Sequence, residues 1–252
     1  MPILADLRNT PDEVVLRRSV ALVWLATAVT VLHPSYQAVG ASYLARLGLG
    51  PAWMYATCVG EGALAVWLWL RPFGRFLALA QIAAVAVFTA LLAAVEPMLL
   101  VSPFGMLSKN IPFALAVWAA MRLERGDATA RVWPLVVWAA ALPWLTEGLL
   151  PKLLFQQDVE LSMVPQIGIP LAPGLAVGSI GVAQVVSFGL LHVLHGRPLA
   201  VLRTAQAAAL VALPLVVGLL APWLWVHPFG PFSKNLPILA ATLLCLRREA
   251  RT

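Results

Sequence analysis

Two short polar phrases interrupt an otherwise apolar chain of 252 residues, and they carry the side chains best suited to chemistry. Ser108-Lys109-Asn110 and Ser233-Lys234-Asn235 each place an ammonium between a hydroxyl and a carboxamide. Such a trio offers several donors and an amide acceptor, enough to hold a polar group where water is scarce. Two acids stand where they can join it: Glu147, five residues before Lys152 in WLTEGLLPKLLF, and Glu61, between two glycines in an apolar run. The plain alternative is that each lysine reaches to an interface or pairs with a glutamate and fixes packing. Glu61 is a candidate proton relay, or else a neutral carboxylic acid hydrogen-bonded across helices.

Other constellations are weaker. His192 and His195 are three residues apart, while His33 and His227 fall near the ends of apolar runs. A bis-histidine haem needs ligands on opposed helices, and no spacing here demands it. These histidines, with tryptophans such as Trp53, Trp133, Trp223 and Trp225, fit a membrane-interface belt, so neither haem nor a metal site is expected. Cys58 and Cys245 lie far apart in apolar runs and read as small apolar residues. The sequence contains no phosphate loop, zinc motif or nucleophile elbow.

The elements that must position these residues follow from composition. The chain is 61% hydrophobic and 11% charged, against about 25% charged in a soluble domain. Lipid must solvate most of its surface. Apolar runs of spanning length predict helices near 18–36, 51–70, 76–99, 103–121, 132–151, 174–195, 199–225 and 228–246. Arg8, Arg17, Arg18, Arg71, Arg75, Arg122, Arg125, Arg131, Arg197, Arg203, Arg247, Arg248 and Arg251 fall on one side, while Arg46, Lys109, Lys152 and Lys234 fall on the other. By the positive-inside rule the arginine side is cytoplasmic, with both termini there and the protein in the inner membrane. The net charge of +6 is therefore assigned to orientation, and no nucleic-acid partner is expected. The N-terminal MPILADLRNTPDEVVLRR carries acids and lacks the pattern of a cleavable signal, so the first apolar segment is expected to be retained.

The polar phrases also reveal a duplication. Pro103, Phe104, Gly105, Ser108, Lys109, Asn110 and Pro112 recur 125 residues later as Pro228, Phe229, Gly230, Ser233, Lys234, Asn235 and Pro237. Ala80-Gln81 recurs as Ala205-Gln206 at the same offset. The expected fold is an all-α integral membrane protein of eight transmembrane helices, arranged as two parallel four-helix-bundle repeats. Its divisions are a cytoplasmic segment 1–17, a first repeat 18–126 and a second repeat 130–250. Parallel repeats are related by a twofold axis along the membrane normal, and their interface is a natural place for a site.

Together, WLTEGLLPKLLF and PFGPFSKNLP resemble the DoxX-like family of four-helix membrane proteins. The first half resembles it less fully, with WLATAVTVLHPSY where the second has WLTEGLLPKLLF. The resemblance implies a bundle and points toward quinone-linked redox chemistry, since similar proteins include a subunit of a thiosulfate:quinone oxidoreductase. It covers nearly the whole chain and names no catalytic residue.

Helical rise places Lys109 and Lys234 about 20 Å, and Glu147 about 24 Å, from the arginine ends of their helices. These residues therefore fall in the outer part of the bilayer. The ligand-binding candidates are Ser108, Lys109, Asn110, Ser233, Lys234, Asn235, Glu147 and Lys152, with Glu147 pairing with Lys152 or Lys234. A quinone or lipid carbonyl is the simplest guest for lysine plus asparagine. Three readings follow: a redox accessory subunit that binds quinone and docks a partner carrying the electron centres, a non-catalytic scaffold or assembly factor, and a small-solute transporter. A self-contained enzyme is not expected.

Overall fold

The computed structural model describes residues 9–103 and 105–250, and all of their regular structure is helical. Phe104, Arg8, Arg251 and the first part of the 1–17 segment lie outside the described residues. Helix α1 (Asp12–Thr30) starts behind Pro11, with Asp12 and Glu13 in its first turn, where carboxylates oppose the helix dipole. It stops short of Pro34, and the chain bends by 92° into α2 (Pro34–Arg46), capped by His33 Nδ1 accepting the Ser35 N–H at 3.2 Å. The span expected at 18–36 therefore begins earlier and breaks before proline, which disfavours a helical conformation in the residue preceding it. Helices α3 (Ala52–Leu70) and α4 (Arg75–Val95) follow, then a 3-10 turn (Pro97–Val101) and α5 (Met106–Glu124).

The second half repeats this order. Helix α6 (Thr129–Glu147) runs on as a π-helical stretch (Gly148–Leu154) containing Pro151, which has no N–H to give the ladder. Two single turns, α7 (Asp158–Leu161) and α8 (Met163–Gln166), stand where α2 stands in the first half. Then come α9 (Pro173–Val193), α10 (Gly196–Leu220), a second 3-10 turn (Pro222–Val226) and α11 (Asn235–Glu249).

First and last helices of the two halves make the centre. Helix α1 packs on α5 and α11, and α6 packs on the same two. Helices α3 and α4 flank α1 and α5, while α9 and α10 flank α6 and α11. Small residues permit this close approach: Ala116, Ala119 and Ala120 of α5, Ala139 and Ala140 of α6, and Ala240 and Ala241 of α11 are buried together. The outer helices show large apolar side chains instead, among them Val59, Phe76, Leu175 and Leu219.

Four helical stretches are long and apolar enough to cross a membrane: Arg75–Val95, Thr129–Leu154, Pro173–Val193 and Gly196–Leu220. The bent α1–α2 pair makes a fifth if taken as one span. The shortfall from eight has a local cause. Helix α3 carries Glu61, α5 carries Ser-Lys-Asn, and α11 has 15 residues because its polar phrase is coiled as a turn.

Arginines tie one end of the bundle together. Arg17 Nε meets Glu124 Oε1 at 2.7 Å and its Nη1 donates to the Leu68 and Arg71 carbonyls, while Glu124 also accepts the Phe73 N–H. In the second half Glu249 holds the same place and meets Arg203 at 2.6 Å. Arg247 joins the halves by pairing with Asp12 and donating to the Thr10 carbonyl. Removing one member of a buried pair strands the other charge, at a cost of about 3–5 kcal/mol. Arg17→Ala is therefore expected to cost about that much in unfolding free energy in detergent, while Arg18→Ala, on an exposed position, leaves the midpoint nearly unchanged. Equal effects would remove Arg17 from its keystone role.

Candidate functional site

Each polar phrase enters its last helix through a glycine that no other residue replaces well. Gly105 has φ 78° and Gly230 φ 57°, the left-handed region that disfavours a Cβ. A Cβ would also fall 2.6 Å from the Lys109 side chain at Gly105, and 2.7 Å from Ser233 Oγ at Gly230. The turn aims lysine and asparagine of one phrase in different directions, into different cavities.

The first cavity, about 480 Å³, is lined within the first half by residues of α1, α2, α3, α4 and α5. Asn110 enters it from its own half, whereas the lysine comes from the other: Lys234, accompanied by Pro228 and Phe229. The second cavity, about 220 Å³, has the mirrored arrangement, with Asn235 from its own half and Lys109 from the first. Each cavity thus receives the asparagine of one phrase and the lysine of the other.

Their electrostatics differ. In the second cavity Lys109 Nζ donates to the Pro231 carbonyl at 2.6 Å and meets Glu147 Oε1 at 3.4 Å, and Ser108 Oγ donates to the same oxygen at 3.3 Å. Lys152 pairs with Glu160 at 2.7 Å. The expected pairing of Glu147 with Lys152 or Lys234 is therefore corrected: the π-helical stretch turns Lys152 toward Glu160, and the cross-repeat packing of α5 on α6 delivers Lys109. In the first cavity Thr27 occupies the place that Glu147 holds in the matching WLTE phrase. No carboxylate comes within 4.0 Å of Lys234 Nζ among the described residues. Glu61 shares that cavity, with its Oε2 buried and unpartnered. Asn110 Nδ2 donates to Thr89 Oγ1 at 2.8 Å, leaving Asn110 Oδ1 buried and unpartnered too.

The structure thus gathers Ser108, Lys109, Glu147, Lys152 and Asn235 around one cavity and Asn110, Lys234 and Glu61 around the other. Ser233 instead donates to the Gly230 carbonyl at 3.3 Å, closing the turn. Several cavity residues had no signal in spacing alone. Trp24 donates to Gln81 at 2.9 Å in the first half, while its counterpart Trp144 has a buried indole N–H without a partner, as has Gln184 Oε1. Glu160, eight residues from Lys152 across a loop, has no periodic relation that could mark it. Tyr43, which lines the first cavity, donates to Glu96 at 2.9 Å, and Arg46 pairs with the same carboxylate.

The histidines are apart. His192 packs on Phe188 and Trp138, His33 caps α2, and His227 sits between Trp223 and Phe229. Burial, reinforced by the charge of Lys234, pushes the His227 imidazole down to about 4, so it is neutral at physiological pH. Cys58 and Cys245 are both free and buried. Among the described residues, no three His, Cys, Asp or Glu side chains gather where they could hold a metal ion.

Long apolar helices, outward-facing apolar side chains and paired cavities define a multi-pass helical membrane protein built from two tandem copies of one unit. The chain belongs to the DoxX-like family, which matches it twice, over residues 21–118 and 141–243. No curated protein and no solved structure matches it.

The two motif lysines make opposite predictions. Lys109→Met strands Glu147 and is expected to cost about 3 kcal/mol, much of it recovered in the Lys109→Met, Glu147→Leu double variant. Lys234→Met strands no carboxylate and is expected to cost about 1 kcal/mol or less. Unfolding midpoints of the four proteins in one detergent decide it, and equal costs for the two lysines would contradict the asymmetry.

Proposed function

We propose that this protein is a membrane-embedded accessory subunit of a redox system, which binds a quinone or similar lipid in the first cavity. The observation that carries the reading is Lys234, a lysine with no carboxylate within ion-pair distance among the described residues, lining an apolar cavity together with Glu61 and Asn110. A volume of about 480 Å³ fits a small-molecule site, which is usually mostly apolar with a few placed polar groups. Phe88, Phe113 and Phe229 supply ring contacts, and Lys234 supplies a cationic donor to a ring oxygen. Glu61 is the candidate proton relay. Electron-carrying centres then belong to a partner protein that docks on this subunit.

The accompanying topology has eight crossings, α1, α3, α4, α5, α6, α9, α10 and α11. Helices α2, α7 and α8 lie at the outer surface. The arginine end faces the cytoplasm of the inner membrane, with the repeats at 18–126 and 130–250. The outward apolar faces and the gathered arginines support this arrangement.

A second reading, a scaffold or assembly factor, draws on the second cavity. There Lys109–Glu147 joins the two halves and Lys152–Glu160 pairs within the second, so the charges are neutralised within the protein.

Protein purified in mild detergent beside its Lys234→Met variant, with bound lipids extracted and identified by mass spectrometry, tests the choice. A quinone carried by the wild type and lost from the folded variant is expected. Absence of quinone from the wild type, together with no binding of an added short-chain quinone, would move the protein to the scaffold reading.

A further inference from the structure

The two halves end on matching glutamates, Glu124 of α5 and Glu249 of α11, yet these draw their arginines from different helices. Arg17 comes from α1, and the carbonyls of Leu68 and Arg71 at the end of α3 accept from its Nη1. Arg203 comes from α10. Its Nε meets Glu249 at 2.6 Å, while its buried Nη1 has no partner among the described residues. Beside it lies a cavity of about 210 Å³, lined by Trp133, Arg203, Cys245, Arg248 and Glu249.

Arg248 is the exposed arginine of this group. Its Cζ stands 4.5 Å from the centre of the Trp133 ring, and no carboxylate or carbonyl engages its guanidinium among the described residues. A guanidinium held by its face keeps its N–H edge for a ligand, and that fork matches two oxygens of a phosphate. Two arginines against one glutamate leave the lining with a net positive charge. Arg247, next in the chain, pairs away with Asp12.

The place of the cavity indicates what carries the phosphate. Trp133 lies near the start of α6, Arg203 near the start of α10 and Arg248 in the last turn of α11. In the eight-crossing topology these helix ends lie at the level of the lipid headgroups, where tryptophan and arginine are at home. Trp138, Val201 and Leu243 on the same helices are exposed and offer apolar surface to acyl chains. The cavity is smaller than a drug-sized site of about 300–1,000 Å³, but a headgroup anchored by its chains needs only its phosphate inside.

We infer that this cavity at the ends of α6, α10 and α11 is a site for the phosphate of an anionic phospholipid. Arg248 donates to the phosphate oxygens, Trp133 holds Arg248 in place, and Arg203, steadied by Glu249, supplies positive charge behind them.

Delipidated protein in mild detergent, titrated and read by native mass spectrometry, tests it. The probes are phosphatidylglycerol, phosphatidylcholine and diacylglycerol with the same short acyl chains, and inorganic phosphate. Phosphatidylglycerol is expected to bind at least about fivefold tighter than the other two lipids, one of which adds a cation and the other of which lacks the phosphate. Arg248→Gln breaks no ion pair and is expected to abolish that preference. The control is Arg18→Gln, which removes an exposed arginine 5.2 Å from the Trp69 ring in the first half and is expected to leave the preference unchanged. Equal losses in the two variants would reduce the effect to general surface charge and overturn the site. If Arg248→Gln fails to fold, the lipid series on wild type decides alone. Equal binding of phosphatidylglycerol and either other lipid overturns the recognition of an anionic headgroup. Displacement of the lipid by an equal concentration of inorganic phosphate overturns the lipid as its bearer.

Discussion

The exchange of lysines between the two halves is the constraint on which the cavities depend. Neither half closes its own polar site. The turn at Gly105 or Gly230 sends asparagine inward to the helices of its own repeat and lysine across to the other. This geometry exists because α5 and α11 pack on each other and on both α1 and α6, through faces of alanine where backbones approach closely. A bulkier residue at Ala119 or Ala240 would push the central helices apart and withdraw each lysine from the cavity it completes. In a bilayer, helix association draws little on the hydrophobic effect and depends instead on this fit. The polar site and the apolar centre are thus one construction.

Divergence between the copies then gave the cavities different characters. The WLTE phrase supplies Glu147 to neutralise Lys109, and the matching WLAT phrase supplies Thr27. One substitution of carboxylate by hydroxyl leaves Lys234 without a close counter-ion. The acid of the first cavity comes instead from α3, as Glu61, where the comparable helix α9 offers Gln184. A lysine neutralised by protein groups holds helices together. One facing an apolar cavity with unsatisfied acceptors around it has interaction capacity left for a ligand. Sequence that is nearly identical in the two phrases therefore stands in two different surroundings, decided by residues far from the phrase.

Much of this was legible in the sequence, and the boundary of legibility is physical. The repeat could be read because seven residues match at one offset, and among them the glycines need a left-handed backbone while the lysines and asparagines line cavities. Most helix positions were readable from apolar length, and Arg17, Arg203 and Arg247 meet Glu124, Glu249 and Asp12 near helix ends. The break after α1 was missed because a run of apolar residues does not register a 92° bend, although His33-Pro34 marked the place. Pairing was the harder part. Glu147 lies five residues from Lys152, yet its partner is Lys109, because the choice is made by inter-helix packing that no period encodes. Glu160 and the Trp24–Gln81 contact were hidden for the same reason.

Carrying both copies in one chain explains how the asymmetry can persist. A single unit with this turn would present a lysine to nothing, so it would need a second copy beside it to complete a cavity. In a symmetric pair of identical units every substitution appears twice. A carboxylate that neutralised one lysine would neutralise the other, and both cavities would be closed by ion pairs or both left open. Fusion lifts that restriction. One cavity can keep the internal Lys109–Glu147 pair between the two halves while the other does without one. The tandem duplication is therefore more than a record of ancestry: it lets the two copies of one polar phrase differ, with Lys109 paired to Glu147 at one site and Lys234 without an ion-pair partner among the described residues at the other.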